Sequence, residues 1–577
     1  MGNTEMIRSA LVMALGMGLA ACGGGGGGGG DSTTTAVASS SAATSSAASS
    51  TASSTSSSAA SSSTSSAASS SASSITSLGA TGWATVGTNN LGVTGTTGGN
   101  AATSAKTYTV TNRNEFIQAL YANAATINTD GSYSGTLDSS SKIIYVSGTI
   151  DLSMDKSLTA LGESGYFTYG NASSSLNCSQ YGGYASATAM WTAYYAAYKP
   201  SVWGTAALQI GSNTTVSGTP ENARACYAAQ QKKVVYINIP SNTSIIGVGS
   251  TAKIIHGNLV LGSSSSAPVD NIVVRNITFE DSFDYFPQWD PTDSTTGRWN
   301  SAYDNVSVMY ATHVWLDHNT FTDGTNVDAN YPSVWNETYA GTDYASSANG
   351  VLYHVQHHDG LSDVTKNANY VTLSYNYYHD HDKSLLFGGT DTASTSAENP
   401  NALKVSVHHN YFKNLRQRQP RVRYGMVHIY NNYFEGDLSA SVNYQWSVGW
   451  YSGQASKLYV ENNVIQLNNG SPTAATVYGG SSSTSKSSSC ATTMGTGYDS
   501  SYCSAYSYYS GNLLNGSALS VQDLSSANIT TTSTPWYASG VTSGTPGATP
   551  SSYYSYTPDD ASVVASSVPA AAGAGKL

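Results

Sequence analysis

Short apolar runs alternating with polar, asparagine-rich stretches set the pattern of this chain. NIVVRNITF, YVTLSYNYY, LKVSVHHNYF, MVHIYNNYF and LYVENNVI are each of strand length and rich in β-branched and aromatic residues. Most of these runs end in an asparagine followed by apolar residues, at Asn276, Asn319, Asn376, Asn410, Asn432 and Asn463. The tightest interval, 410 to 432, is 22 residues, about one turn of a parallel β-helix, and longer intervals leave room for loops. One stacked asparagine per turn can bridge successive backbones at a tight bend, so these amides read as a structural ladder. A β-sandwich would need Asn-Gly or Asp-Gly hairpins between its strands, and those are sparse here. The pattern predicts one elongated all-β domain whose long inter-coil loops, rich in acids and histidines, build a cleft.

The N-terminal part has a different character. An apolar run from Ala10 to Ala21 follows Arg8 and ends in Leu19-Ala20-Ala21-Cys22, so residues 1–21 read as a lipoprotein-type signal cleaved before Cys22. An ordinary secretory signal is the alternative, and the run is too short to cross a membrane as a helix. Residues 22–76, glycine and then Ser/Thr/Ala, bury too little to offset chain entropy and read as a disordered tether to the domain at 77–577. The expectation is an exported bacterial monomer on the outer membrane or cell surface, or secreted, with membrane contact only through a lipid at Cys22. Cysteine usage agrees with export: Cys178, Cys226, Cys490 and Cys503 allow three connectivities, of which 178–226 with 490–503 closes the shortest loops.

Charge narrows the chemistry. The formal net charge is −11, yet LRQRQPRVRYG places Arg416, Arg418, Arg421 and Arg423 within eight residues. A positive focus in an acidic protein fits an anionic substrate and argues against a general nucleic-acid surface; a solvated basic loop is the blander reading. Acidic strings lie upstream: WNSAYDNVSV around Asp304, VWLDHN around Asp317, HHDGLSDV with Asp359 and Asp363, and HDHDKSLLFGG with Lys383. Asp359 and Asp363 would be about 13 Å apart on an extended chain and could not share an ion, but Gly360 permits a bend. His357, His358, His379 and His381 alternate with acids, a pattern that also suits a transition metal, although nothing else in the sequence completes a tetrahedral set.

Together with DYFPQWDPTD (Asp284 to Asp293), these strings resemble the pectate lyases of the parallel β-helix polysaccharide lyases, in the family's order and at closely matching spacing from Asp304 through Arg423. The resemblance implies a right-handed, single-stranded parallel β-helix with functional loops on one face, and a Ca2+-dependent lyase that cuts (1,4)-linked polygalacturonate by β-elimination. It implies calcium ligation by Asp304, Asp359 and Asp363, uronate binding by Lys383 and Arg423, and proton abstraction by Arg418, the first arginine of the RxPxxR pattern. It implies a structural role for Trp315, Asp317 and His318. Two other readings stay open: a pectin lyase acting on methyl-esterified chains without the calcium carboxylates, and a non-catalytic carbohydrate-binding adhesin on the same scaffold.

Overall fold

In a computed structural model, which describes residues 79–211, 215–345, 352–391, 398–399, 402–480, 505–519 and 549–577, the strands wind into successive coils of a parallel β-helix. Two sheets of ten strands and one of eight run the length of the helix, and every neighbouring pair in them is parallel except the terminal Leu513–Leu514 with Ser517–Ala518. The signal, the tether, Cys22, Cys490 and Cys503 lie outside the described residues.

Period-two alternation inside each strand sends one side chain into the bore, and parallel register stacks it on its equivalent in the next coil. On the first sheet Ile144, Ile245, Val274, Leu316, Leu373, Val407, Ile429 and Val460 form one continuous buried row. On the second sheet Phe279, Phe321, Tyr378, Phe412 and Phe434 stack ring on ring, with centroids 4.6 to 5.2 Å apart. That spacing is close to the separation of adjacent strands, so the rings stack without distorting the coil. Helix Arg113–Leu120 covers the first coil with Phe116, Ile117 and Leu120, protecting an edge that would otherwise template aggregation.

The ladder at the bend between first and second sheets is Asn319, Asn376, Asn410, Asn432, Asn463 and Asn512, each amide donating to the next Oδ1 at 2.9 to 3.2 Å. Asn276 is not a rung. Its coil places Ile277 opposite Asn319, and Asn276 takes the preceding position, where the chain turns at φ +59°. His318, Tyr375, His409, Asn431 and Asn462 fill that left-handed position in later coils, and asparagine is among the residues that tolerate it best. Asn410 makes five ladder and backbone hydrogen bonds with no exposure. Asn410→Ala leaves several of these partners buried and unpaired, so a loss of about 3 kcal/mol in urea unfolding is expected.

Two lysines on the first sheet carry a pH signature. Burial pushes Lys404 down to about 8 and Lys457 down to about 7. In the unfolded chain lysine keeps its proton up to about 10.4. Between these values the unfolded state binds more protons, so stability rises with pH from about 7 to about 10. Urea midpoints measured across this range should climb in the native protein and climb less in Lys457→Met.

Besides Arg113–Leu120 and the helix Ala561–Ala571, a helical insertion departs from the all-β expectation. Between the strands Thr149–Asp151 and Tyr236–Ile239 lie the helices Glu163–Ala172, Ala187–Tyr198 and Thr219–Val235, tied by the disulfide Cys178–Cys226. They form a second core with Trp289, Trp299, Trp335 and Tyr344, contributed by the loops around residues 286–344. The alanine-rich stretches ATAMWTAYYAAY and ENARACYAAQQKK are strong helix formers, and Ser186 caps the middle helix by accepting from the Ala189 backbone N–H.

Candidate active site

The acids and bases gather on the third sheet and on the bend that feeds it. Strand register aligns Asn238, Val260, Ser307, Asp363, Leu386, Arg421, Tyr451 and Gly479 in one outward-facing row, one residue per coil. Asp304 precedes the strand Val306–Met309, Asp359 precedes Ser362–Thr365, Lys383 ends Tyr377–Lys383, and Arg418 follows Tyr411–Gln417. Acidic groups therefore occupy two coils and basic groups the next two, a charge gradient spread over roughly 14 Å along the axis.

Asp304, Asp359 and Asp363 lie close enough together for their charges to act on one another. Gly360 makes this possible in two ways. Its N–H donates to Asp304 Oδ1 at 2.8 Å, and a Cβ there would lie 2.3 Å from Asp363 Oδ1, so only glycine lets that carboxylate approach. Asp304 also accepts from the Ser307 hydroxyl and Asp363 from the Leu386 N–H. Burial, then the charge of Asp359, pushes Asp304 up to about 7; burial, then Asp304 and Asp359, pushes Asp363 well above the usual carboxylate range. Asp304 and Asp363, both pushed up beside the Asp359 carboxylate, are groups that a cation would relieve, and an all-oxygen donor set fits a calcium-class ion.

Lys383 Nζ lies 3.1 Å from Asp359 Oδ1. Burial opposes its charge most, but Asp359 and Asp382 together raise it. Arg418 sits at φ +59°, its Nε buried without a hydrogen-bond partner and its charge felt by Asp363 and Lys383. Arg421 lies over the Tyr451 ring at 4.9 Å; burial, then the charges of Arg423 and Arg418, pushes it down to about 10. Among the described residues neither Arg418 nor Arg421 has a carboxylate within ion-pair distance. Arg423 is placed differently: it is buried one row further along the strands, with Nε on Asp391 at 2.7 Å and Nη1 on the Gly388 carbonyl at 3.0 Å. The structure thus brings Lys383 and Arg418 to the acids, while Arg423 is bound to Asp391 and the Gly388 carbonyl.

The hairpin of Gln288–Asp290 with Arg298–Asn300 reaches the same region, for Asp293 in its turn feels both Lys383 and Arg418. Asp284 anchors this loop by accepting from the Phe286 and Ala302 N–H groups at 2.8 and 3.0 Å. The VWLDHN residues lie on the first sheet, where Asp317 pairs with Arg275 at 2.8 Å and Trp315 donates to Ser374, a structural role as expected.

The sequence profile of the pectate lyase family, described simply as pectate lyase, matches residues 146–577. The chain belongs to the pectate lyase family. It is 42% identical over 374 residues to a pectate lyase of Bacillus subtilis, covering 65% of this chain and 74% of the relative. Among solved structures, the pectate lyase of Acidovorax avenae subsp. citrulli superposes with a TM-score of 0.77 at 48% identity, covering 88% of this chain and 96% of that one. A pectate lyase bound to a hexasaccharide superposes at 0.61 with 37% identity, covering 86% and 97%. As a member of this family the protein is a polysaccharide lyase.

Proposed function

We propose that this pectate lyase cleaves (1,4)-linked polygalacturonate by calcium-dependent β-elimination, releasing oligogalacturonides unsaturated between C4 and C5. The observation that carries this reading is the packing of Asp304, Asp359 and Asp363 against Lys383 and Arg418 over adjacent coils. The solved hexasaccharide complex of a pectate lyase with the same fold adds support.

A calcium ion held by Asp304, Asp359 and Asp363 would neutralise the uronate carboxylate and make the C5 proton more acidic. Lys383 donates a hydrogen bond to that carboxylate and stabilises the enolate charge that develops on it. Arg418 in its neutral form accepts the proton from C5. The electron pair left behind forms the C4–C5 double bond as the C4–O bond breaks, and the departing oxygen takes a proton from water. Burial, then the charges of Arg423 and Arg418, works against the charged form of the neighbouring Arg421. Arg423, the second arginine of the RxPxxR pattern, would join Lys383 on the uronate carboxylate; its side chain is oriented by Asp391 and the Gly388 carbonyl.

Incubation with polygalacturonate should raise the ultraviolet absorbance of the unsaturated uronate when calcium is present and stop when a chelator is added. Cleavage that continues unchanged in chelator would reject the calcium-dependent mechanism. Calcium-dependent binding without product would mark an adhesin.

A further inference from the structure

Beside the cleft lies a second constellation that the elimination does not use. His358 is adjacent to Asp359 in the chain and only 4% exposed. Its Nε2 lies 2.8 Å from Asp281 Oδ1, while its Nδ1 is buried without a hydrogen-bond partner and faces Asp323 Oδ2 at 3.8 Å. Asp328 supplies a third group, and one ligand atom from each of Asp323, Asp328 and His358 falls within 4.8 Å of the other two. Among the described residues this is the only such set; Asp304, Asp359 and Asp363 are more open.

The three come from separate elements: the end of the coil after Thr320–Thr322, the turn Asp328–Asn330, and the loop leading to Ser362–Thr365. Each is held from behind. Asp323 accepts from His381 Nδ1 at 2.7 Å through one oxygen and from the Tyr444 hydroxyl at 2.7 Å through the other. The Asp328 backbone N–H donates to the same hydroxyl at 3.0 Å. Asp281 fixes the ring of His358: an imidazole whose Nε2–H donates to a carboxylate presents a lone pair at Nδ1. Histidines that ligate metals are oriented in this way, with the far nitrogen on a carboxylate. A buried nitrogen without a partner costs about 1 to 3 kcal/mol, and here it points at two carboxylates.

We propose that Asp323, Asp328 and His358 bind a divalent transition cation of the zinc class, separate from the calcium site. One imidazole nitrogen and two carboxylates suit zinc, with water as a fourth ligand, and are too few and too mixed for calcium. Such an ion would clamp the loop from which Asp359 emerges. The surplus of acid is consistent with it: burial, then the charges of Asp382 and Asp323, pushes Asp328 up to about 7. The competing occupant is a proton, since burial lowers His358 but Asp323 and Asp281 outweigh it and lift the imidazole to about 9.

The test uses the full chain without a histidine tag, stripped with chelator, dialysed against Zn2+ and then buffer, and analysed for metal by mass spectrometry. One equivalent of zinc is expected in the native protein and in Asp363→Asn, and none in Asp328→Asn. Asp281→Asn should bind zinc about 10- to 100-fold more weakly. A Co2+ titration of the native protein should saturate at one equivalent in the visible spectrum, with the colour lost on adding Zn2+ and kept in excess Ca2+. Native protein retaining no zinc would leave a metal-free imidazolium network and overturn the proposal, as would a full equivalent in Asp328→Asn. If Asp328→Asn does not fold, the cobalt titration decides alone: no saturable band, or a band displaced by Ca2+, sinks the site.

Discussion

Arg418→Ala is expected to lower kcat on polygalacturonate by about 100- to 10,000-fold, the range a positioned proton acceptor contributes, with KM little changed. Arg418 has its Nε buried without a partner and, among the described residues, no carboxylate within ion-pair distance, so its removal breaks no ion pair and leaves the fold intact. An interaction made only in the transition state lowers kcat and kcat/KM together. A base that acts as neutral arginine becomes less scarce as pH rises, so activity of the native protein should rise into the alkaline range. Arg418→Lys separates charge from basicity: it keeps a cation that can lose a proton more easily, and should retain more turnover than alanine. Near-native turnover in Arg418→Ala would assign the proton to another group.

Much of this arrangement is legible in the sequence because it is local or periodic. The rungs Asn319 to Asn463 are visible as an asparagine between two apolar runs, a signal written into each coil. The same signal misplaces Asn276, because the left-handed position and the rung are adjacent and asparagine suits both; register decides between them. Asn512 carries the signal too, but the preceding YSYYS lacks the β-branched residues that mark the other runs. The helices Ala187–Tyr198 and Thr219–Val235 are readable from their alanine content, yet they belong to an insertion that the strand period does not announce. At the site, Asp304, Asp359, Asp363, Lys383 and Arg418 stand in recognisable strings. The Asp323, Asp328 and His358 group does not, since its members belong to separate elements and meet only through the winding of the coil. The burial of Arg423 against Asp391 is likewise a tertiary fact, because Asp391 lies 32 residues away.

Asp363→Asn should raise the calcium concentration needed for half-maximal activity, and the loss should be largest at low calcium. Asp363 is the most buried in charge of the three acids: it faces Asp304 and Asp359 together and is lifted well above the usual carboxylate range. Substituting asparagine removes one of three negative charges, and ligand charge is a main determinant of calcium affinity. Asparagine keeps the oxygen that accepts from the Leu386 N–H and the size that Gly360 accommodates, so the change is electrostatic and not a packing defect. Without calcium the sign reverses. The native trio carries mutual repulsion that asparagine relieves, so in chelator Asp363→Asn should unfold at higher urea than the native protein, and calcium should restore the native protein's advantage. Methyl esterification of the substrate tests the same charges from the other side. It removes the carboxylate that Lys383 and the calcium acids would engage, so the rate should fall steadily as esterification rises. A rate that instead increases with esterification and ignores chelator would identify a pectin lyase, for which three acids crowded around Gly360 would have no use.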